Sequence, residues 1–157
     1  MEVHPGVHQL RIPIPDNPLG FLNSYLIRGD KGCLLIDTGW NTDEAFQSLE
    51  DQLQDLGLSL SDIALVVITH VHPDHYGLLE RITEPVPVYM GDAARKILEV
   101  SAFFTLLPTL GQIRPCTFSD RQAIQAGPFT VTPLAIDHSA HDSYCLMVEA
   151  EGKRLLY

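Results

Sequence analysis

Leu10, Ile12 and Ile14 alternate with polar or proline positions, and this period of two predicts an opening strand over residues 7–14. Pro13 and Pro15 end that strand or place it at an edge. A turn cluster at residues 16–20 precedes a second predicted strand over 22–27, and the hairpin turn 28–32 leads into a third over 33–36. The third is almost continuously apolar, the pattern of a strand buried on both faces. The period then changes. Ala45, Leu49, Leu53 and Leu56 fall at helical spacing, with Asn41 and Glu44 as a capping pair and Gly57 as the stop. A buried strand follows over 63–68, then a short helix over 76–82, a strand over 85–90, and a helix over 92–107 stopped by Pro108. Past Gly111 the chain reads as strands: 122–125 and 129–136 about the turn 126–128, then a hairpin of 144–149 and 154–157. Hairpins mixed with crossover helices predict an α/β (α+β) fold, with residues 1–157 as one domain.

Composition narrows the function classes. The chain has 157 residues, 45% hydrophobic and 19% charged, enough apolar material for a core. Its net charge of −10 repels phosphate backbones and counts against nucleic-acid binding through a basic face, although a bound metal reverses the field locally. Three cysteines, with no CxxC pair, argue against a disulfide framework and for a reducing cytoplasm; Cys33 and Cys145 lie in apolar runs and read as core. No basic start with an apolar run marks a signal peptide, and no stretch is long enough to span a bilayer, so a cytoplasmic protein without a membrane partner is expected.

Candidate chemistry is concentrated at one point. His70, His72, Asp74 and His75 fall within six residues, directly after the buried strand 63–68. Imidazole and carboxylate suit zinc, iron and manganese alike. In an extended stretch, positions i and i+2 face one side, so His70 and His72 can grip one ion. Pro73 then turns the chain and brings Asp74 and His75 to a neighbouring position.

The stretch Thr69-His70-Val71-His72-Pro73-Asp74-His75-Tyr76-Gly77 resembles the HxHxDH signature of the metallo-β-lactamase superfamily. The runs 23–27 and 35–39 resemble the hairpin that precedes it, and Ile136-Asp137-His138-Ser139 lies where the family places its next histidine ligand. The resemblance implies an αββα sandwich with one or two metal ions, zinc first, iron or manganese as alternatives, at the rim between the sheets. It implies His70, His72 and His138 as ligands of a first metal, Asp74 and His75 as ligands of a second, and Asp37 as a carboxylate that orients the site. The implied activity is hydrolysis of an ester, thioester, lactone or related bond by a metal-activated hydroxide, with Asp74 orienting the nucleophile or moving its proton.

The chain stops at Tyr157, where the family normally continues into Ser/Thr-Gly-Asp, so the expectation is a domain truncated at its C-terminus, with a weak second metal site and apolar surface that favours a homo-oligomer. The segment 72–77 is similar to glyoxalase II-like small-molecule hydrolases, whereas Asp137-His138-Ser139 looks like the RNA-processing branch. A small-molecule substrate leads, an RNA-processing nuclease fragment is the second reading, and a non-catalytic metal-binding or degenerate domain the third. His141, Trp40 and Tyr76 adjoin the site loops as candidate substrate contacts. His4 and His8 read as exposed strand or loop residues, and the apolar helix end around Phe103, Phe104, Leu106 and Leu107 as core, with a flap over the site or an interface as the sharper alternative.

Overall fold

In a computed structural model, which describes residues 1–105 and 114–157, the apolar run Gly32–Ile36 (β4) lies between Phe21–Gly29 (β3) and Ile63–Val67 (β5). Around them a sheet continues through Val7–Pro13 (β2) and Glu2–His4 (β1) on one side, Pro87–Gly91 (β6) and Arg114–Phe118 (β7) on the other, in the order β1 to β7. The first four strands meander antiparallel, and β4 to β7 run parallel. Ile124–Ala126 (β8), Phe129–Ala135 (β9), Tyr144–Ala150 (β10) and Lys153–Leu156 (β11) form a second, antiparallel sheet.

The continuous apolar run of β4 has the explanation its pattern implied. Cys33 and Leu35 face one core, Leu34 and Ile36 the other, and Leu34, Leu35 and Ile36 are fully buried. The first core lies beneath the helices Asp43–Asp55 (α1) and Asp92–Thr105 (α3); the second lies between the two sheets, where Phe129, Val131, Leu146 and Val148 interleave with Leu65 and Val67. The described helices all pack on the first sheet's outer face. The expected mixed α/β architecture is therefore present as a helix layer on two stacked sheets. No described helix is long and apolar enough to cross a membrane, and none of the three cysteines is in a disulfide.

Several boundaries differ from expectation for local reasons. The cap of α1 is Thr42, whose hydroxyl accepts from the Ala45 amide at 3.1 Å; the Asn41 side chain instead bonds Glu80 and Arg81. Pro73 at the first helical position starts the short helix Pro73–Tyr76 (α2) earlier than expected, and Gly77–Arg81 continues it as a tighter 3₁₀ turn. Leu106, Leu107 and Pro108 lie outside the described residues, as do the side chains of Phe103 and Phe104.

His4 is exposed, but His8 is not: it is buried on the same face of β2 as Leu10 and Ile12. Arg28 donates to its Nε2 at 3.3 Å and to the Leu56 carbonyl, at the end of α1, at 2.6 Å. The His8 Nδ1 is left buried without a partner. Burial and the Arg28 charge lower its pKa below the ordinary 6.5, against a smaller opposing effect of Glu2.

Two outcomes follow from this packing. Thr42→Ala lowers stability by about 1 kcal/mol in urea denaturation; an unchanged midpoint contradicts the cap. Since the folded state depresses the His8 pKa, its contribution is intact above pH 6.5 and is lost as pH falls below that value. A His8→Phe variant therefore loses less stability than the parent between pH 7 and pH 5, and parallel losses contradict this reading.

Candidate metal centre

The site is built on the end of β5. Ile68 stays in register through its amide bond to the Tyr89 carbonyl, and beyond it Thr69 and His70 enter a buried turn. Opposite, β4 runs out into Asp37, which takes a left-handed conformation (φ 57°) at a cost of roughly 1 kcal/mol for a residue with a Cβ. That turn is held by neighbours: the Asp37 amide donates to the Val67 carbonyl, and the Thr38 amide and hydroxyl both reach the His75 carbonyl. The buried Ser24 hydroxyl lies 2.8 Å from the Asp37 carbonyl and 3.0 Å from that of Ile36. Gly77 lets α2 approach, since a Cβ there would stand 2.7 Å from the Asn41 amide nitrogen and 2.8 Å from the Gly39 carbonyl oxygen.

The Asp37 carboxylate, fully buried, accepts three hydrogen bonds and shares the Tyr157 hydroxyl with the Asn23 carbonyl, which lies nearer to that hydroxyl at 2.9 Å. Its Oδ1 takes the Thr69 amide at 2.9 Å. Its Oδ2 takes the Thr69 hydroxyl at 2.8 Å, His75 Nδ1 at 2.7 Å and the Tyr157 hydroxyl at 3.2 Å. These contacts fix the ring tautomers. The single Thr69 proton goes to the carboxylate, which only accepts, so the Thr69 oxygen, 2.9 Å from His70 Nδ1, accepts from that nitrogen. His70 Nε2 is then a bare lone pair. By the same logic His75 carries its proton on Nδ1, and its Nε2 lone pair stands 3.8 Å from Asp74 Oδ2.

His70, His72 and His138 converge. Their ligand atoms lie within 4.8 Å of one another, and His70 Nε2 and His72 Nδ1 are 2.9 Å apart. The His70 ring meets those of His72 and His138 edge-on, with centroids 4.6 and 4.7 Å away. His70 is 6% exposed; burial, the charge of His75 and the other two rings lower its pKa to about 4, against the opposing pull of Asp37. It is therefore neutral at physiological pH, the form that ligates metals. Burial alone would lower His75 too, but its hydrogen bond to Asp37 and the charges of Asp37 and Asp74 outweigh this and raise it.

The donor set fits a metal. Two ligands of a tetrahedral zinc are roughly 3.3 Å apart; His70 Nε2 and His72 Nδ1, 2.9 Å apart in a hydrogen bond that an ion would replace, are close to that spacing, and the His138 nitrogen lies within 4.8 Å of both. Asp74 and His75 stand beside it as a carboxylate and an imidazole lone pair. Of the remaining candidates, His141 is exposed and outside the three-histidine cluster, Trp40 is 38% exposed on the loop after β4, and Tyr76 is half-buried against the core beneath α1. Sequence reasoning gave no role to Thr69 or Tyr157. A hydroxyl directly before the first histidine was a local signal for Thr69; the Tyr157 contact joins residues 120 apart and left none.

Residues 17–157 match the family model described as the metallo-beta-lactamase superfamily. Among curated relatives, the chain is 43% identical over 79 residues to a probable metallo-hydrolase, YqjP, of Bacillus subtilis, covering 50% of this chain and 24% of that protein. It is 30% identical over 128 residues to ribonuclease Z of Thermobifida fusca, covering 74% of this chain and 38% of that protein. The chain thus spans less than half the length of either. Among solved structures, the metallo-beta-lactamase GOB-18 of Elizabethkingia meningoseptica matches with a TM-score of 0.67 and 28% identity, over 87% of this chain and 54% of that one. A metallo-beta-lactamase family protein of Thermus thermophilus matches with a TM-score of 0.72 and 24% identity, over 92% and 56%, a likeness that speaks for the fold alone.

Removing the Asp37 carboxylate leaves His75 Nδ1, the Thr69 amide and the Thr69 hydroxyl without their acceptor. At about 1–3 kcal/mol for each stranded buried group, Asp37→Ala destabilises the metal-free chain by roughly 3 kcal/mol or more in urea denaturation. A loss below about 0.5 kcal/mol, the scale of an ordinary surface change, contradicts the network.

Proposed function

The chain belongs to the metallo-beta-lactamase superfamily, and on that premise we propose that it carries the metal-binding half of a metal-dependent hydrolase acting on an ester, thioester, lactone or related bond of a small molecule. The observation that carries this reading is the convergence of three imidazole nitrogens within 4.8 Å, the His70 Nε2 lone pair among them. In this reading His70, His72 and His138 hold a first metal, zinc being the borderline ion that best suits three imidazoles, with iron or manganese as alternatives. Asp74 and His75 belong to a second position. When bound, such an ion supplies a Lewis acid and lowers the pKa of water toward neutrality.

The protein's own residues then have separable tasks. Asp37 orients His75 through Nδ1 and, through the Thr69 hydroxyl, holds His70 with its Nε2 toward the cluster. Asp74 is the half-buried carboxylate next to this group and is the candidate for holding or moving a proton during bond cleavage. His141, exposed three residues past His138, and Trp40 are candidate substrate contacts.

A second reading, an RNA-processing nuclease, is favoured by the 30% identity to a ribonuclease Z over 74% of the chain. The net charge of −10 weighs against it for the chain by itself, because phosphate contacts dominate nucleic-acid affinity.

Elemental analysis of the purified chain beside His72→Ala is the test. The expected result is about one transition metal per chain, at least tenfold weaker in the variant. The loaded chain is then assayed on thioester, lactone and phosphodiester substrates. Hydrolysis of the first two supports the leading reading, and cleavage of phosphodiesters alone favours the nuclease. Metal without any hydrolysis favours a non-catalytic domain. No metal after reconstitution overturns the metal reading.

A further inference from the structure

Two of the three clustered histidines sit on one short turn after β5, but His138 comes from elsewhere, the loop between β9 and β10. That loop is mostly solvent-facing: Ile136, Asp137, His138, Ser139 and His141 are exposed. The contacts of the His138 ring are edge-on meetings with His70 and His72, at 4.7 and 5.6 Å between centroids. Ring contacts of this kind are too weak to hold an exposed loop in one place, so its position must be set by other ties.

We propose that Asp142 is a positioning residue for the metal centre, fastening the β9–β10 loop to the start of α3 and so holding His138 against His70 and His72. Its Oδ2 accepts from the backbone amides of Ala93 and Ala94, at 2.8 and 3.0 Å, two of the amides that a helix start leaves without internal partners. Its Oδ1 accepts from the Tyr144 hydroxyl at 2.6 Å. Asp142 is itself left-handed (φ 58°), a conformation that aspartate tolerates better than most residues with a Cβ, and it sits at the turn that aims the carboxylate at α3.

The receiving side is built to match. A Cβ on Gly91, at the junction of β6 and α3, would stand 2.0 Å from Asp142 Oδ2, so the carboxylate fills the volume that any other residue at 91 would take. The rest of the loop is folded on itself beside this anchor and is tied at its end to the turn after β5. The Ile136 amide bonds the Ser143 carbonyl at 3.0 Å, the buried Ser143 hydroxyl bonds the Ala140 carbonyl at 2.8 Å, and the Tyr144 amide bonds the Thr69 carbonyl at 3.1 Å. Asp142 thus joins the second sheet's ligand loop to the first sheet and its helix, across 48 and 49 residues of sequence. Its task is separate from that of Asp37, which holds the β5 side of the site.

This inference rests on the metal reading above, and its test separates the two. Cobalt(II) is titrated into the wild-type chain, Asp142→Ala, Asp142→Asn and Gly91→Ala, following the visible d–d bands. Hydrogen exchange of residues 136–143 and thermal unfolding are measured without metal. The expected result is faster exchange in 136–143 and about 10- to 100-fold weaker cobalt binding in Asp142→Ala, with an altered band pattern. Asp142→Asn, which keeps an acceptor oxygen, recovers part of both. Gly91→Ala leaves Asp142 in the sequence but fills its place, and must reproduce the same changes even where Asp142→Ala folds poorly. Wild-type cobalt bands retained at wild-type affinity in folded Asp142→Ala or Gly91→Ala overturn the positioning role and leave the metal reading standing. A lower unfolding temperature with unchanged bands shows a merely structural residue and overturns it equally. No cobalt bound by the wild type overturns the metal reading and this inference with it.

Discussion

The site depends on one buried carboxylate. Asp37 is withdrawn from water, and an ionised carboxylate in that position costs several kcal/mol unless it is fully hydrogen-bonded. Three donors meet that demand, with the Tyr157 hydroxyl shared between Asp37 and Asn23, and they come from the turn after β5, from α2 and from just past β11. Because each must point at Asp37, satisfying the carboxylate also fixes the backbone at Thr69, the rings of His70 and His75, and the approach of the second sheet through Tyr157. The left-handed turn at Asp37 is the local strain that this arrangement sustains.

A second consequence is electrostatic. His70 sits among three other imidazoles, so protonating it would place like charges in a low-dielectric pocket; burial and this repulsion keep it neutral, and the Thr69 hydroxyl keeps its proton on the outer nitrogen. His75, whose outer nitrogen faces Asp37 and whose inner one faces Asp74, is pushed the other way. Neighbouring imidazoles on one turn are thus shifted in opposite directions, His70 down by burial and the other rings, His75 up by its hydrogen bond to Asp37 and the charges of Asp37 and Asp74. Most of the chain's negative charge lies outside this network, and the three clustered groups are all imidazoles, which must be neutral to hold a cation.

Legibility in the sequence followed locality. The grouping of His70, His72, Asp74 and His75 is readable directly, since four potential ligands within six residues follow an apolar strand. His138 and Asp37 are reached through the resemblance of their surrounding segments, and the structure brings both to the same place. The local pattern points to Asn41 rather than Thr42 as the cap of α1, because nothing nearby shows that the Asn41 side chain is taken by Glu80 and Arg81, partners about forty residues away. His8 reads as exposed although its spacing from Leu10 and Ile12 places it on their face; its polarity obscures a period that is there. Thr69 left a faint local signal, a hydroxyl directly before the first histidine, whereas the roles of Tyr157 and Asp142 are set by hydrogen bonds between segments far apart in sequence, and no local pattern announces them.

The central claim is that the fold presents three imidazole nitrogens to one ion. X-ray absorption at the zinc edge, on the chain loaded with one zinc per molecule, tests it most directly. The account predicts zinc–nitrogen distances of about 2.0–2.1 Å, with the outer-shell scattering of three imidazoles. A zinc–sulfur distance near 2.3 Å, which would place the ion on a cysteine, or an oxygen-only shell without imidazole scattering, would contradict it.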